Sequence, residues 1–209
     1  GTMIASGGLF SVGRSVIKVN EVVMECAKRR LKMSEQGWYV SPGTNFNDEN
    51  GQGDAYIVYS YSANIADVEI DMETGVVDVK KIYSAFDVGQ VVNPALAMGQ
   101  AQGGVLQGMS WAVYENLVIK NGIMKNPSFT DYTVATSCDM PEYDIEFIEK
   151  YYSRGPYKAK GLGELPLIAV SGAVRNAVKN AAGIDINYLP LLPEKNLKLI
   201  KKGYVRRKK

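Results

Sequence analysis

The chain has 209 residues, 46% of them hydrophobic, and its 24 basic and 22 acidic side chains leave a net charge of +2. This is enough apolar material for a core, and the interspersed charges set up no field that would draw nucleic acid to the body of the chain. There is no histidine, and the two cysteines, Cys26 and Cys138, are far from any CxxC spacing, which excludes Ser-His-Asp and Cys-His nucleophiles, His-ligated metals and thiolate metal clusters.

Residues 5–13 form a small-residue loop that feeds a helix, offering free backbone N–H groups to an anion, although a plain flexible loop reads the same way. Arg14 to Leu31 read as an amphipathic helix, with Val19, Val23, Cys26 and Ala27 on one face and Lys18, Glu21, Lys28 and Arg29 on the other. Residues 43–53 are a polar turn region. Val68, Ile70 and Met72 then alternate with acids, Glu73-Thr74-Gly75 turns, and Val77, Val79 and Ile82 return, predicting a hairpin with one wet face. Its acids are therefore surface groups and not a metal cluster.

Asn93-Pro94 predicts an N-cap followed by proline at the first helical position. The helix that follows contains Gly99, Gly103, Gly104 and Gly108, each costing about 1 kcal/mol relative to alanine. A helix accepts that cost where a backbone or ligand approaches closely. Gln100 sits among these glycines, whereas Gln102 and Gln107 read as surface residues. A second hairpin is predicted from Tyr114 through Asn121-Gly122 to Met124.

Lys160-Gly161-Leu162-Gly163-Glu164 leads into an apolar helix over residues 168–182, stopped by Gly183. Taken alone, Glu164 is a capping acid stabilised by the helix dipole, and Lys160 could pair with it or reach a phosphate. Asn187 to Leu189 read as a short strand and Pro193 to Leu199 as a short helix. The lysine- and arginine-rich end, Lys195 to Lys209, reads as a solvated tail. Helices and strands mix without βαβ repetition, so the fold class is α+β, built of mixed sheets and hairpins packed with helices, over a single region 1–209.

Several segments, in order, carry a family resemblance. Asp87-Val88-Gly89-Gln90-Val91-Val92-Asn93-Pro94, Gly99-Gln100-Ala101-Gln102-Gly103 and Lys160-Gly161-Leu162-Gly163-Glu164 match D-V-G-x-x-(I/V)-N-P, G-Q-x-x-G and K-G-x-G-E. With the loop 5–13, Gly51 to Asp54 and Asn187 to Glu194, the chain resembles the C-terminal part of the molybdopterin-binding subunit of molybdenum hydroxylases, the xanthine dehydrogenase/aldehyde oxidase/CO dehydrogenase family. The resemblance implies a molybdopterin cofactor with molybdenum, either plain or as a cytosine dinucleotide. It implies that Glu164 is the general base, taking a proton so that a water-derived oxygen attacks an aldehyde or a carbon next to ring nitrogen. It also implies that Gln100, the backbone of Ala5, Ser6, Gly7 and Gly8, and the loop at Lys160 and Gly161 hold the cofactor, which carries the hard chemistry.

Two departures stand out. Gly7, Gly8 and Leu9 replace the family's polar loop residues, and Phe86 replaces a histidine. The resemblance implies partners as well: the upstream half of the subunit, without which the site is incomplete, and iron–sulfur and FAD subunits. No run long enough to span a membrane and no signal-peptide pattern is read, so the expected location is cytoplasmic, with a small-molecule substrate and neither nucleic acid nor membrane as partner. A binding or assembly module that keeps the fold without chemistry is the alternative.

Overall fold

The computed structural model describes residues 45–207 together with helical residues 19–21, 24, 25 and 28 of the first predicted helix. Among these, Glu21 and Lys28 are exposed, as the amphipathic pattern requires.

The alternation of residues 61–87 builds the central hairpin. Strand β1 (Tyr61–Ile70) pairs antiparallel with β2 (Val77–Asp87), and β5 (Glu142–Ile148) adds parallel to the far side of β2, giving the order β1-β2-β5. Along β1 every second residue is exposed, the signature of a sheet covered on one face. The core parity changes within β2: Val79 is buried at one end, and Ile82, Ser84 and Phe86 at the other. A bulge opposite Asp67/Val68 absorbs the extra residue, Lys80, and so keeps both halves of the strand facing the core. The turn between the strands is tied by Asp71, whose carboxylate accepts from Thr74 Oγ1 at 2.7 Å and from Glu73 N at 2.8 Å. These bonds hold the Asp71 carboxyl below its ordinary pKa, the Thr74 hydroxyl contributing most.

Helix α1 (Pro94–Val113) starts as predicted: Asn93 is extended and its side chain accepts from Leu96 N at 3.1 Å, with proline in the first turn. It ends at Tyr114, so the segment read as the start of a second hairpin belongs to the helix cap, and only β3 (Ile119–Lys120) and β4 (Ile123–Met124) pair. Their turn is tight because Asn121 and Gly122 both hold positive φ, 54° and 74°. The predicted helix 168–182 begins earlier and is broken at Ala169 into α2 (Leu165–Ile168) and α3 (Val170–Ala182), with Gly183 left-handed after it at φ 63°.

Two readings of the C-terminal region are corrected. Asn187 to Leu189 form no strand: Ile186 is buried, Leu191 N donates to Ala112 O at 2.7 Å, and Pro190 offers no N–H to a ladder. The basic run is not a tail up to Arg207 but helix α4 (Pro193–Arg207). Asn196 and Ile200 are buried on one side, while Lys195, Lys198, Lys201 and Lys202 are exposed on the other, so the lysines are the wet face of an amphipathic helix. One cluster joins the elements: Val79, Ile82 and Phe86 from β2, Val105 and Met109 from α1, Val174 and Val178 from α3, and Ile200 from α4.

Candidate functional site

The two motif loops meet at the end of the sheet. Gly89 turns the chain out of β2 at φ 64°, and a Cβ there would stand 2.5 Å from Lys158 O, so only glycine admits the approach. Gln90 N donates to Lys158 O at 3.1 Å and Lys160 N donates to Val88 O at 2.8 Å. Lys160 Nζ reaches Asp87 Oδ2 at 2.6 Å, with both side chains buried. Lys160 thus pairs with Asp87 and not with Glu164. Gly161 lies beside it, its carbonyl accepting from Ser60 Oγ at 2.9 Å. Neither residue lines the groove described next.

Past Gly161 the loop crosses helix α1. Gln100 Nε2 donates to Gly163 O at 2.7 Å, joining the G-Q and G-E motifs directly. Glu164 follows at the N-terminus of α2 and makes no side-chain cap bond. Among the described residues its carboxylate has no hydrogen-bond or ion-pair partner, so it caps no backbone N–H of that helix. Glu164 instead lines a solvent-open groove of about 610 Å³ with Gly99, Gln100, Gly103, Gln107, Trp111 and Ile168.

The glycines of α1 divide by face. A Cβ at Gly104 would meet Pro166 Cβ at 2.8 Å, and one at Gly108 would meet Leu167 O at 2.6 Å and Val170 Cβ at 2.8 Å. These two admit the backbone of α2 and α3. At Gly99 and Gly103 nothing stands within 4 Å; they face the groove, where a side chain would occupy the space. Of the two glutamines assigned to the surface, Gln102 lies off the groove, and Gln107 is exposed as read and lines it. It sits seven residues after Gln100, two helical turns along the same face. Trp111, one turn further, and Ile168 were not singled out in the sequence; they are 42% and 68% exposed and give the groove apolar walls. Ala5, Ser6, Gly7 and Gly8 lie outside the described residues.

This lining suits a flat, hydrogen-bonding ring system. It offers amide donors and acceptors from Gln100 and Gln107, a carboxylate from Glu164, and a floor cleared by Gly99 and Gly103. Among its described lining residues there is no lysine or arginine to hold a phosphate. The group implied by the motifs, a molybdopterin, therefore fits by its pterin edge.

Comparison with known proteins agrees. The family model described as molybdopterin cofactor-binding domain matches residues 2–141. The chain belongs to that family. The matched range includes Asp87 and the whole of α1; Lys160 to Glu164 lie beyond it. The family member is 38% identical over 138 residues to the xanthine dehydrogenase molybdenum-binding subunit of Escherichia coli O157:H7, covering 65% of this chain and 18% of that protein. It is 32% identical over 165 residues to the aldehyde oxidoreductase of Megalodesulfovibrio gigas, covering 78% and 18%. Among solved structures, the aldehyde oxidoreductase from Desulfovibrio gigas superposes with TM-score 0.76 at 29% identity over 85% of this chain and 20% of the other. That from Desulfovibrio desulfuricans gives 0.74 at 28% identity, over 84% and 19%. The chain spans less than a fifth of these curated relatives' length, 18% in both. Its α+β fold is that of the molybdenum-containing subunits. No described helix is long and apolar enough to cross a membrane.

Proposed function

We propose that this chain forms one wall of the molybdenum site of a hydroxylase that oxidises an aldehyde or an N-heterocycle, with water as the source of oxygen. The observation that carries the proposal is Glu164: a carboxylate without a partner among the described residues, in the same groove as Gln100 and the cleared glycine floor. Gln100 and the backbone at Gly99 and Gly103 would hold the pterin edge, plain or extended as a cytosine dinucleotide, together with Ala5, Ser6, Gly7 and Gly8. The loop at Lys160 and Gly161 would support the cofactor from behind and not touch it with the lysine side chain. When bound, the molybdenum cofactor supplies the two-electron oxidation.

The chain's own chemistry is proton transfer. Glu164 takes up the proton released as oxygen is delivered to the substrate carbon, a role that requires the carboxylate ionised and within hydrogen-bond reach of that oxygen. Trp111 and Ile168, exposed beside it, mark where the remainder of the subunit closes the groove and excludes water. Without the remainder of the subunit, the chain alone should be inactive. Iron–sulfur clusters and FAD would reside on partner subunits that remove the electrons, and the location that suits this assembly is cytoplasmic.

The test is co-expression with the upstream half in a host that makes the cofactor. Molybdenum is measured by plasma mass spectrometry, and turnover is assayed on aldehydes and purines. Glu164→Gln should retain near-stoichiometric molybdenum while turnover falls by about 10²–10⁴-fold, the range that a positioned general base contributes. Normal turnover in that variant would remove the general-base assignment. No molybdenum in an assembled parent complex would leave an assembly module.

A further inference from the structure

We infer that the buried Asp87–Lys160 ion pair is a positioning strut: it fixes the loop that presents Gly163 and Glu164 relative to the sheet and to α1. The inference rests on the reading of Glu164 as the working carboxylate, but its geometry stands apart from it. Asp87 is the last residue of the central strand β2, and its Oδ2 receives Lys160 Nζ at 2.6 Å with both side chains about nine-tenths buried. Its other oxygen faces Gly89 N at 3.4 Å, so one carboxylate touches both motif loops. Three residues after Lys160 the Gly163 carbonyl accepts from Gln100, and one residue later Glu164 enters the groove. The approach to the pair is tightly turned: Tyr157 and Lys158, neither a glycine, hold φ 51° and 62°.

A buried ion pair is a weak source of stability, because removing two charges from water costs about as much as their attraction returns. It is a strong source of register. Apolar contacts at this junction would tolerate sliding, whereas a buried charge drawn away from its 2.6 Å partner is left unpaired at a large cost. A carboxylate that must meet a reacting oxygen within hydrogen-bond range needs such a reference point, and displacement by about 1 Å can cost about 10²-fold in rate. The hydroxyl of Ser60 on the Gly161 carbonyl, at 2.9 Å, secures the same loop from the start of β1.

Hydrogen exchange on the full chain tests the strut without cofactor or turnover. The reporting amides are those of Gln90, Lys160 and Leu165, each bonded within or between the two loops at 3.1, 2.8 and 3.1 Å. The reference amides are those of Val105 and Met109, in the middle of α1. In Lys160→Met, exchange at the three loop amides should rise at least tenfold while the reference amides change less than twofold, and Lys160→Arg should restore most of the protection. If Lys160→Met fails to fold because the Asp87 carboxylate is left unpaired, the doubly neutral D87N/K160M variant carries the same expectation. Unchanged loop exchange, or an equal rise at loop and reference amides, would overturn the inference, the latter showing a pair that contributes only to global stability. In the assembled enzyme, Lys160→Met should lower kcat with KM unchanged. Local loosening with normal turnover in Glu164→Gln would keep the strut and discard the base; rigid loops with a dead Glu164→Gln enzyme would do the reverse.

Discussion

Gly103 and Gly108 lie five residues apart on one helix, and alanine should act on them with opposite sign. At Gly103 a Cβ meets nothing within 4 Å, so Gly103→Ala should gain the helix preference of about 1 kcal/mol. In a chain of this size that raises the melting temperature by about 2–4 °C. At Gly108 the new Cβ would stand 2.6 Å from Leu167 O and 2.8 Å from Val170 Cβ, against a comfortable separation of about 3.5–4.0 Å. The obstacle is the backbone turn between α2 and α3, so that junction must retreat by about 1 Å, at the upper end of the overpacking range, about 3 kcal/mol. The helix preference offsets about 1 kcal/mol of this. A net loss of about 2 kcal/mol corresponds to a fall of about 4–8 °C. Thermal melts followed by circular dichroism, with both variants in one buffer, read the contrast. A Gly108→Ala protein melting at or above the parent would refute the division of the helix into a packing face and a groove face.

Two further outcomes follow from groups inside the fold. Burial pushes the Tyr143 hydroxyl up to about 12, with no hydrogen-bond partner among the described residues to offset it. Its contribution to stability is therefore intact below the ordinary tyrosine value of 10.0 and is lost as pH rises from there towards 12; ultraviolet titration should show a late-ionising component, shared with Tyr114, Tyr132 and Tyr188, that loses one tyrosine in Tyr143→Phe, and an unchanged late component would refute the assignment. Asn196, fully buried, donates to Gly75 O at 3.0 Å and Leu191 O at 2.8 Å and accepts from Tyr188 at 3.2 Å. Asn196→Leu should cost about 1–3 kcal/mol through the carbonyls left unpaired, seen as a lower urea midpoint at unchanged slope; an unchanged midpoint would show that α4 does not depend on this anchor.

What the sequence revealed was mostly local chemistry. The Asn93-Pro94 helix start, the Gly183 stop and the Asn121-Gly122 turn are each dictated by one or two residues and were legible without a fold. The ordered motifs likewise pointed to Glu164 and Gln100, which the fold brings to one groove. What it concealed depended on distance. Tyr143, Ile145 and Phe147 alternate as a strand should, yet only the pairing with β2, more than fifty residues earlier, makes them one. Lys160 was read towards its near neighbour Glu164; its partner Asp87 is 73 residues away. The lysines of α4 masked the buried spacing of Asn196 and Ile200, and Gln107, exposed as read, joins the groove with Gln100 only because packing on the other side of the helix fixes the face they share.

The bulge gives β2 one residue more than its partner strand needs. Val77 and Val79 obey one parity and Ile82, Ser84 and Phe86 the other, with Lys80 as the surplus residue between them. Deleting Lys80 would leave Val79 and Ile82 two positions apart, a single unbroken alternation with both halves still facing the core. The loss is confined to the surface, where Lys80 meets Asp78 and Glu69. Deleting Tyr83 has no such outlet: Ile82 and Phe86 would then stand three positions apart, an odd spacing that turns one of them out of the core. A strand that tolerates shortening at one place and not three residues on carries its only slack at Lys80.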